Sequence, residues 1–167
     1  MPAGAAGGST QPPAASGGTS PEHRLRELGI TLPPAPQPVA TYVTRVQVGE
    51  LLFTSGHGPG GATGKVGREL DLAAGRAAAR ETGLLLLSTV RDHLGSLDRV
   101  VRVVKILGMV NCTEDFTQQP QVINGCSDLF VEVFGEDAGK GARSAVGMVS
   151  LPGAIPVEIE VVLQVRS

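Results

Sequence analysis

Apolar and polar positions change rhythm several times along this chain. From 43 to 55 they alternate in two short runs, 43–48 and 51–55, split by Gly49-Glu50, and this spacing predicts a β-hairpin. Residues 70–94 switch to a helical period. Ala73, Ala77, Leu84, Leu87, Val90 and Leu94 form one stripe with Arg76 and Arg80 elsewhere, Asp71 can cap the start, and Gly95 can end it. Residues 99–110, dominated by Val, Ile and Leu, read as a long strand. A second helical stripe runs through 116–134, with Val122, Cys126, Leu129 and Val133 inward and Gly135 as its stop. Two strands, 143–150 and 157–166, close the chain, and Leu151-Pro152-Gly153 between them predicts that they pair as a hairpin.

The resulting order, ββαβαββ, fits an α+β domain with both helices on one face of a sheet. The strand at 99–110 is apolar on both sides. Simple alternation sends Val101, Val103, Leu107 and Met109 one way and Val100, Val104, Ile106 and Val110 the other. A third layer is needed, and another copy of the chain is the simplest supplier. Ahead of this domain, assigned to 39–167, residues 1–19 are almost wholly Ala, Gly, Pro, Ser, Thr and Gln and are expected to be disordered. Residues 20–38 read as a short helix and a Pro-rich connector, the helix starting at Ser20-Pro21-Glu22 and stopping at Gly29.

Composition narrows the possible partners. The chain has 167 residues, a formal net charge of -2, 3% aromatic residues and no Trp, so neither a basic field nor stacking platforms recommend nucleic acid. No apolar run approaches the roughly 20 residues needed to span a bilayer, and the start of the chain lacks the pattern of an export signal, so a cytoplasmic protein is expected. Cys112 and Cys126 are too far apart for a CxxC pair and read as reduced core thiols.

Few residues invite chemistry. Gly58-Pro59-Gly60-Gly61-Ala62-Thr63-Gly64-Lys65-Val66 superficially resembles a phosphate-binding loop, but Pro59 stands where the first Gly belongs and Val66 where Ser or Thr should follow the Lys. His57 has no nucleophile motif near it and reads as a residue lining a pocket rather than a catalytic base. Arg143 shares a strand face with Ala145 and Gly147, which compete little with its side chain, while Glu158 and Glu160 share one face of the last strand. If those strands pair, Arg143 and Glu158 come to the same end of the hairpin. They then form either a salt bridge on a solvated face or the charged part of a small-molecule pocket.

Taken together, these segments resemble the Rid family of reactive intermediate deaminases, also called the YjgF family. The resemblance runs from Tyr42 to the C-terminus. It rests on Tyr42-Val43 leading to Gly49 and Thr54-Ser55-Gly56, on the stretch from Asn124 to Phe130, and on Arg143-Ser144 with Leu151-Pro152 and Val157-Glu158-Ile159-Glu160. It implies a chorismate-mutase-like fold assembled as a homotrimer, with pockets between neighbouring subunits and no metal or cofactor. It also implies that Arg143 binds a substrate carboxylate, that Glu158 positions or activates water, and that Tyr42, Ser55, Gly56 and Asn124 line the pocket. Ala145 stands where the family often has Cys, and His57 where it commonly has Gln, which marks a divergent branch.

The activity so implied is hydrolysis of small 2-imino or 2-enamino acids to 2-oxo acids and ammonia. The alternative is a trimeric binding module that holds a small carboxylate metabolite through Arg143 without turning it over. Ribonuclease activity, an older label for the family, is disfavoured by the acidic balance and the lack of a catalytic histidine pair.

Overall fold

The computed structural model describes residues 19–167. The disordered reading of 1–19 falls, Thr19 apart, outside them. The chain opens with α1 (Pro21–Glu27), whose N-cap Ser20 accepts a hydrogen bond from the His23 amide. This helix packs against the rest of the chain. Leu25 is buried, the Glu22 amide donates to Asp98, and the Leu97 amide donates back to the Glu22 carboxylate, so α1 is tied to the turn that precedes the long strand.

Strands β1 (Arg45–Val48) and β2 (Leu51–Thr54) form the expected hairpin, with Gly49 at a φ of 59° in its turn. Helix α2 (Leu72–Leu94) is capped by Asp71 and closed by Gly95 at a φ of 78°. Its buried face corrects the predicted one. In the first half, Gly75, Ala78, Ala79, Thr82 and Gly83 face inward, while Ala73 and Ala77 lie outward. The reason is α3 (Gln119–Phe134), which crosses so closely that a Cβ on Gly125 would sit 2.0 Å from the Arg76 carbonyl oxygen. Such a crossing selects small residues over large apolar ones. In α3 itself, Val122, Cys126, Leu129 and Val133 are all buried as the period predicts. A short α4 (Glu136–Gly139) follows, which the pattern did not announce.

Strand β3 (Val100–Asn111) is an inner strand of the sheet. Register shifts between Val100 and Arg102 and between Val103 and Lys105 break simple alternation, so Val103 joins the helix-covered face and Val104 the open one, reversing the predicted sides of both. The larger correction concerns β4 (Ala142–Met148) and β5 (Val157–Val165), which are not partners. The sheet order is β1-β2-β5-β3-β4, with β4 parallel to β3 and β5 antiparallel to it on the other side. Side-chain content explains the exchange. β5 buries Val157, Ile159, Val161, Leu163 and Val165 and belongs at the centre, whereas β4, with Gly147 and Arg143, is suited to an edge. Residues 149–156 therefore cross over the end of β3 instead of making a tight turn.

Both long helices cover one face of this mixed sheet, and one core joins them to it. The opposite face carries exposed Val46, Val48, Phe53, Val101, Val104 and Val146. No helix of the described residues is long and apolar enough to cross a membrane.

Candidate functional site

Beyond Phe53, which pairs with Val162, β2 continues irregularly until His57 meets Ile159. The β2 side holds one residue more than β5 over this interval, which is a bulge. Thr54 stitches it by accepting a hydrogen bond from the Val161 amide at 3.0 Å, and His57 and Ile159 exchange backbone hydrogen bonds of 2.9 Å beyond it. Glu158, just before Ile159, consequently stands over Gly56. A Cβ on Gly56 would lie 1.9 Å from a Glu158 carboxylate oxygen, so the glycine is what admits that side chain.

Glu158 lines a cavity of 430 Å³ with Tyr42, Ser55, Gly56, Gly58 and Ile155. Partial burial raises the pKa of its carboxyl above the ordinary value, and the neighbouring Glu160 charge adds to that. No protein donor among the described residues hydrogen-bonds its carboxylate. Ser55, in contrast, is engaged, its hydroxyl donating to the Val43 carbonyl and its amide to the Thr44 carbonyl.

Arg143 belongs to a different place. Its register partner is Ile106, itself opposite Val161, and both are buried beneath the helices. Glu158 is in register with Met109, on the open face. Arg143 and Glu158 are thus on opposite faces of the sheet with β3 between their strands, and neither the predicted shared hairpin end nor the alternative salt bridge between them exists. Arg143 instead reaches α3, where its Nη1 donates to Asn124 Oδ1 at 2.7 Å and to Ser127 Oγ at 3.1 Å. These three residues line a second cavity of 300 Å³ with Ile106, Val131 and Gly141.

The candidate residues therefore fall into two sets within one chain: Tyr42, Ser55, Gly56 and Glu158 at one cavity, Arg143 and Asn124 at the other. Sequence reasoning missed Ser127. Its spacing of three from Asn124 on a helix was the available signal, because such residues share a face.

Other residues with chemical potential are occupied. The His57 ring is buried, with Nδ1 at 2.8 Å from the Ser55 carbonyl oxygen and Nε2 at 2.8 Å from the Thr89 hydroxyl. Burial lowers its pKa, against the opposing pull of the Ser55 carbonyl, so the neutral ring is favoured. A ring held this way has no nitrogen left for proton transfer. Lys65, the lysine of the glycine-rich loop, donates to Asn111 Oδ1 at 2.8 Å and to the carbonyls of Cys112 and Val149. It fastens the crossover loop. Among the described residues no three His, Cys, Asp or Glu side chains converge as metal ligands.

Residues 22–157 match a family model described as "YjgF/chorismate_mutase-like, putative endoribonuclease". The chain belongs to this YjgF family. The match starts well ahead of Tyr42 and takes in α1, in keeping with the way α1 is packed. Protein TCP17 of Trypanosoma cruzi is 43% identical over 148 residues, which is 86% of this chain and 92% of that protein. The crystal structure of Atu1372, a protein of unknown function from Agrobacterium tumefaciens, is 39% identical with a TM-score of 0.79, over 87% of this chain and 94% of that one. A structure of E. coli TdcF with bound serine is 27% identical with a TM-score of 0.53, over 80% of this chain and 94% of that one. In keeping with that family and with the Atu1372 structure it resembles, the chain has an α+β fold of one sheet with packed helices.

Proposed function

We propose that this chain is a cofactor-independent deaminase that hydrolyses small 2-imino or 2-enamino acids to 2-oxo acids and ammonia, in pockets completed between the subunits of a homotrimer. The observation that carries this reading is the division of the charged groups between two sheet faces. Each stands at a cavity, and neither neutralises the other. A neighbouring copy packed on the apolar open face supplies the missing half, with Arg143 of one subunit facing Tyr42, Ser55, Gly56 and Glu158 of the next. TdcF with bound serine supports a ligand of this size carrying a carboxylate.

The chemistry asks little of the protein. Arg143 holds the substrate carboxylate by two parallel hydrogen bonds, which orients C2. The Glu158 carboxylate accepts a proton from water as the water oxygen bonds to C2 of the protonated imine, giving a carbinolamine. That proton then passes to nitrogen, the C–N bond breaks, and the carbinolamine hydroxyl gives its proton back to the Glu158 carboxylate as ammonia leaves and the 2-oxo group forms. One water is consumed for each ammonia released. A carboxylate with a raised pKa is the better base for the first step.

The test is an amino-acid-oxidase assay in which a trap competes for the imine. The protein should speed loss of trappable imine. Arg143→Lys keeps the charge but loses the planar fork, and kcat/KM should fall roughly 10- to 100-fold with melting temperature unchanged. Glu158→Gln should lower kcat by about 10²-fold or more. In the parent protein, kcat should fall as pH is lowered through a pKa above the ordinary carboxylate value, because protonated Glu158 accepts nothing. Carboxylate binding without faster imine loss would assign the binding module instead. Cleavage of RNA would restore the nuclease label; against it, His23 pairs with Glu27, His93 contacts Gln47 and His57 is buried, so no two histidines meet.

A further inference from the structure

The two hydrogen bonds that hold Arg143 share a single nitrogen. Nη1 donates to Asn124 Oδ1 at 2.7 Å and to Ser127 Oγ at 3.1 Å, while Nε and Nη2 have no acceptor among the described residues. A guanidinium has its N–H groups in a rigid plane, so fixing one nitrogen at two points fixes the plane. Asn124 alone would leave the group free to pivot about one hydrogen bond. A second acceptor one helical turn away removes that freedom and presents the Nε–Nη2 edge, which is the edge that matches a carboxylate.

The surrounding charges leave that edge available. Asp128, beside Ser127 and lining the same cavity, is paired with Arg76. Lys140, also at the cavity, is paired with Glu136. The nearby carboxylate therefore already has a cationic partner, and the nearby ammonium has its own counter-ion. Arg143 itself has no ionic partner among the described residues.

We propose that Ser127 is a positioning residue, which with Asn124 locks the Arg143 guanidinium so that its Nε–Nη2 edge is set to receive one planar carboxylate. The carboxylate belongs to the substrate of the proposed deaminase, and to that extent the inference rests on the function proposed above. The hold on the guanidinium does not depend on it.

Two measurements on the full chain separate these claims. The first is the Nε–Hε NMR signal of Arg143 in the unliganded protein, assigned by its loss in Arg143→Lys. It should be a single resolved signal in the parent, shifted or exchange-broadened in Ser127→Ala, and restored in Ser127→Thr, which keeps the hydroxyl. The second is calorimetric binding of 2-oxobutanoate, a stable carboxylate of the product class. Ser127→Ala should weaken it about three- to tenfold, the range for mobilising one long side chain, and Ser127→Thr should recover it. In the imine assay Ser127→Ala should raise KM by a like factor while kcat stays within about twofold.

An unchanged Arg143 signal and unchanged affinity in Ser127→Ala, with binding still lost in Arg143→Lys, overturns the inference and leaves the function standing. Equal binding by Arg143→Lys and the parent overturns the carboxylate role, while the signal still decides whether Ser127 holds the guanidinium. Ala is a strong helix former and should be tolerated in α3. Should Ser127→Ala fail to fold, Ser127→Cys keeps the size with a much weaker acceptor and is read by the same criteria.

Discussion

Gly56 shows how one residue without a side chain can control one with a charge. The site above it is filled by the Glu158 carboxylate, which an added methyl group would overlap at 1.9 Å. The backbone there is not in the left-handed region, so Gly56→Ala carries no conformational strain of its own. Only Glu158 must move. The expected outcome is a folded protein, destabilised by about 1 to 3 kcal/mol for the crowding, whose imine turnover falls as far as that of Glu158→Gln. Thermal melting and the imine assay measured together decide it, and full turnover in this variant would separate Glu158 from the chemistry. At this scale the sequence is partly readable. Strand alternation places Glu158 and Glu160 together on one face, which is where the structure has them, and their proximity contributes to the raised pKa of Glu158. What alternation cannot supply is the bulge at 54–56 that brings Gly56 beneath the carboxylate, because a bulge changes phase without changing composition.

At the scale of elements, periodicity identifies every long helix and strand and the first hairpin, and it fails on the partners of the last two strands. The last two strands are separated by a turn-like Leu151-Pro152-Gly153, which favours a hairpin on local grounds, yet the apolar content of β5 draws it between β2 and β3. Burial of a whole strand outweighs the preference of one turn. The face of α2 is misread for a related reason. Hydrophobicity marks large side chains, whereas the α2–α3 crossing is made by Gly75, Gly83 and Gly125, which have none. Helix α1, which the sequence assigns with the connector ahead of the domain at 39–167, packs onto that domain. Leu25 is 3% exposed, and Glu22 accepts from the Leu97 amide while pairing with Arg91 at 3.1 Å. Leu25→Ala should therefore cost about 2 to 4 kcal/mol, a core-sized penalty, measured by denaturant unfolding. A loss below about 0.5 kcal/mol, typical of surface positions, would show that α1 contributes little to the core.

The whole molecule poses a question that one chain does not answer, since the candidate residues stand at two cavities on opposite sides of its sheet. Val46, Val48, Phe53, Val101, Val104 and Val146 leave the open face apolar, a surface that water solvates poorly and a second copy covers well. The doubly apolar β3 made this face readable in the sequence, although the shifted register moved Val104 onto it and Val103 off it. The separation of the candidate residues was not readable, because it follows from sheet order, and sheet order followed from β5 taking the central place. If the proposed trimer joins Arg143 of one subunit to Glu158 of the next, two defective proteins should repair each other. Arg143→Lys subunits keep Glu158, and Glu158→Gln subunits keep Arg143, so an interface between one of each contains an intact site. Random assortment in trimers refolded from an equal mixture should restore about a quarter of parental sites, since each site draws one residue from each of two neighbours. Light scattering checks that the mixture is trimeric, and the imine assay reads the recovery. Recovery near that level requires a shared site and cannot come from either parent alone. A mixture of confirmed heterotrimers no more active than its two components would place Arg143 and Glu158 in separate functions and end the shared-pocket reading.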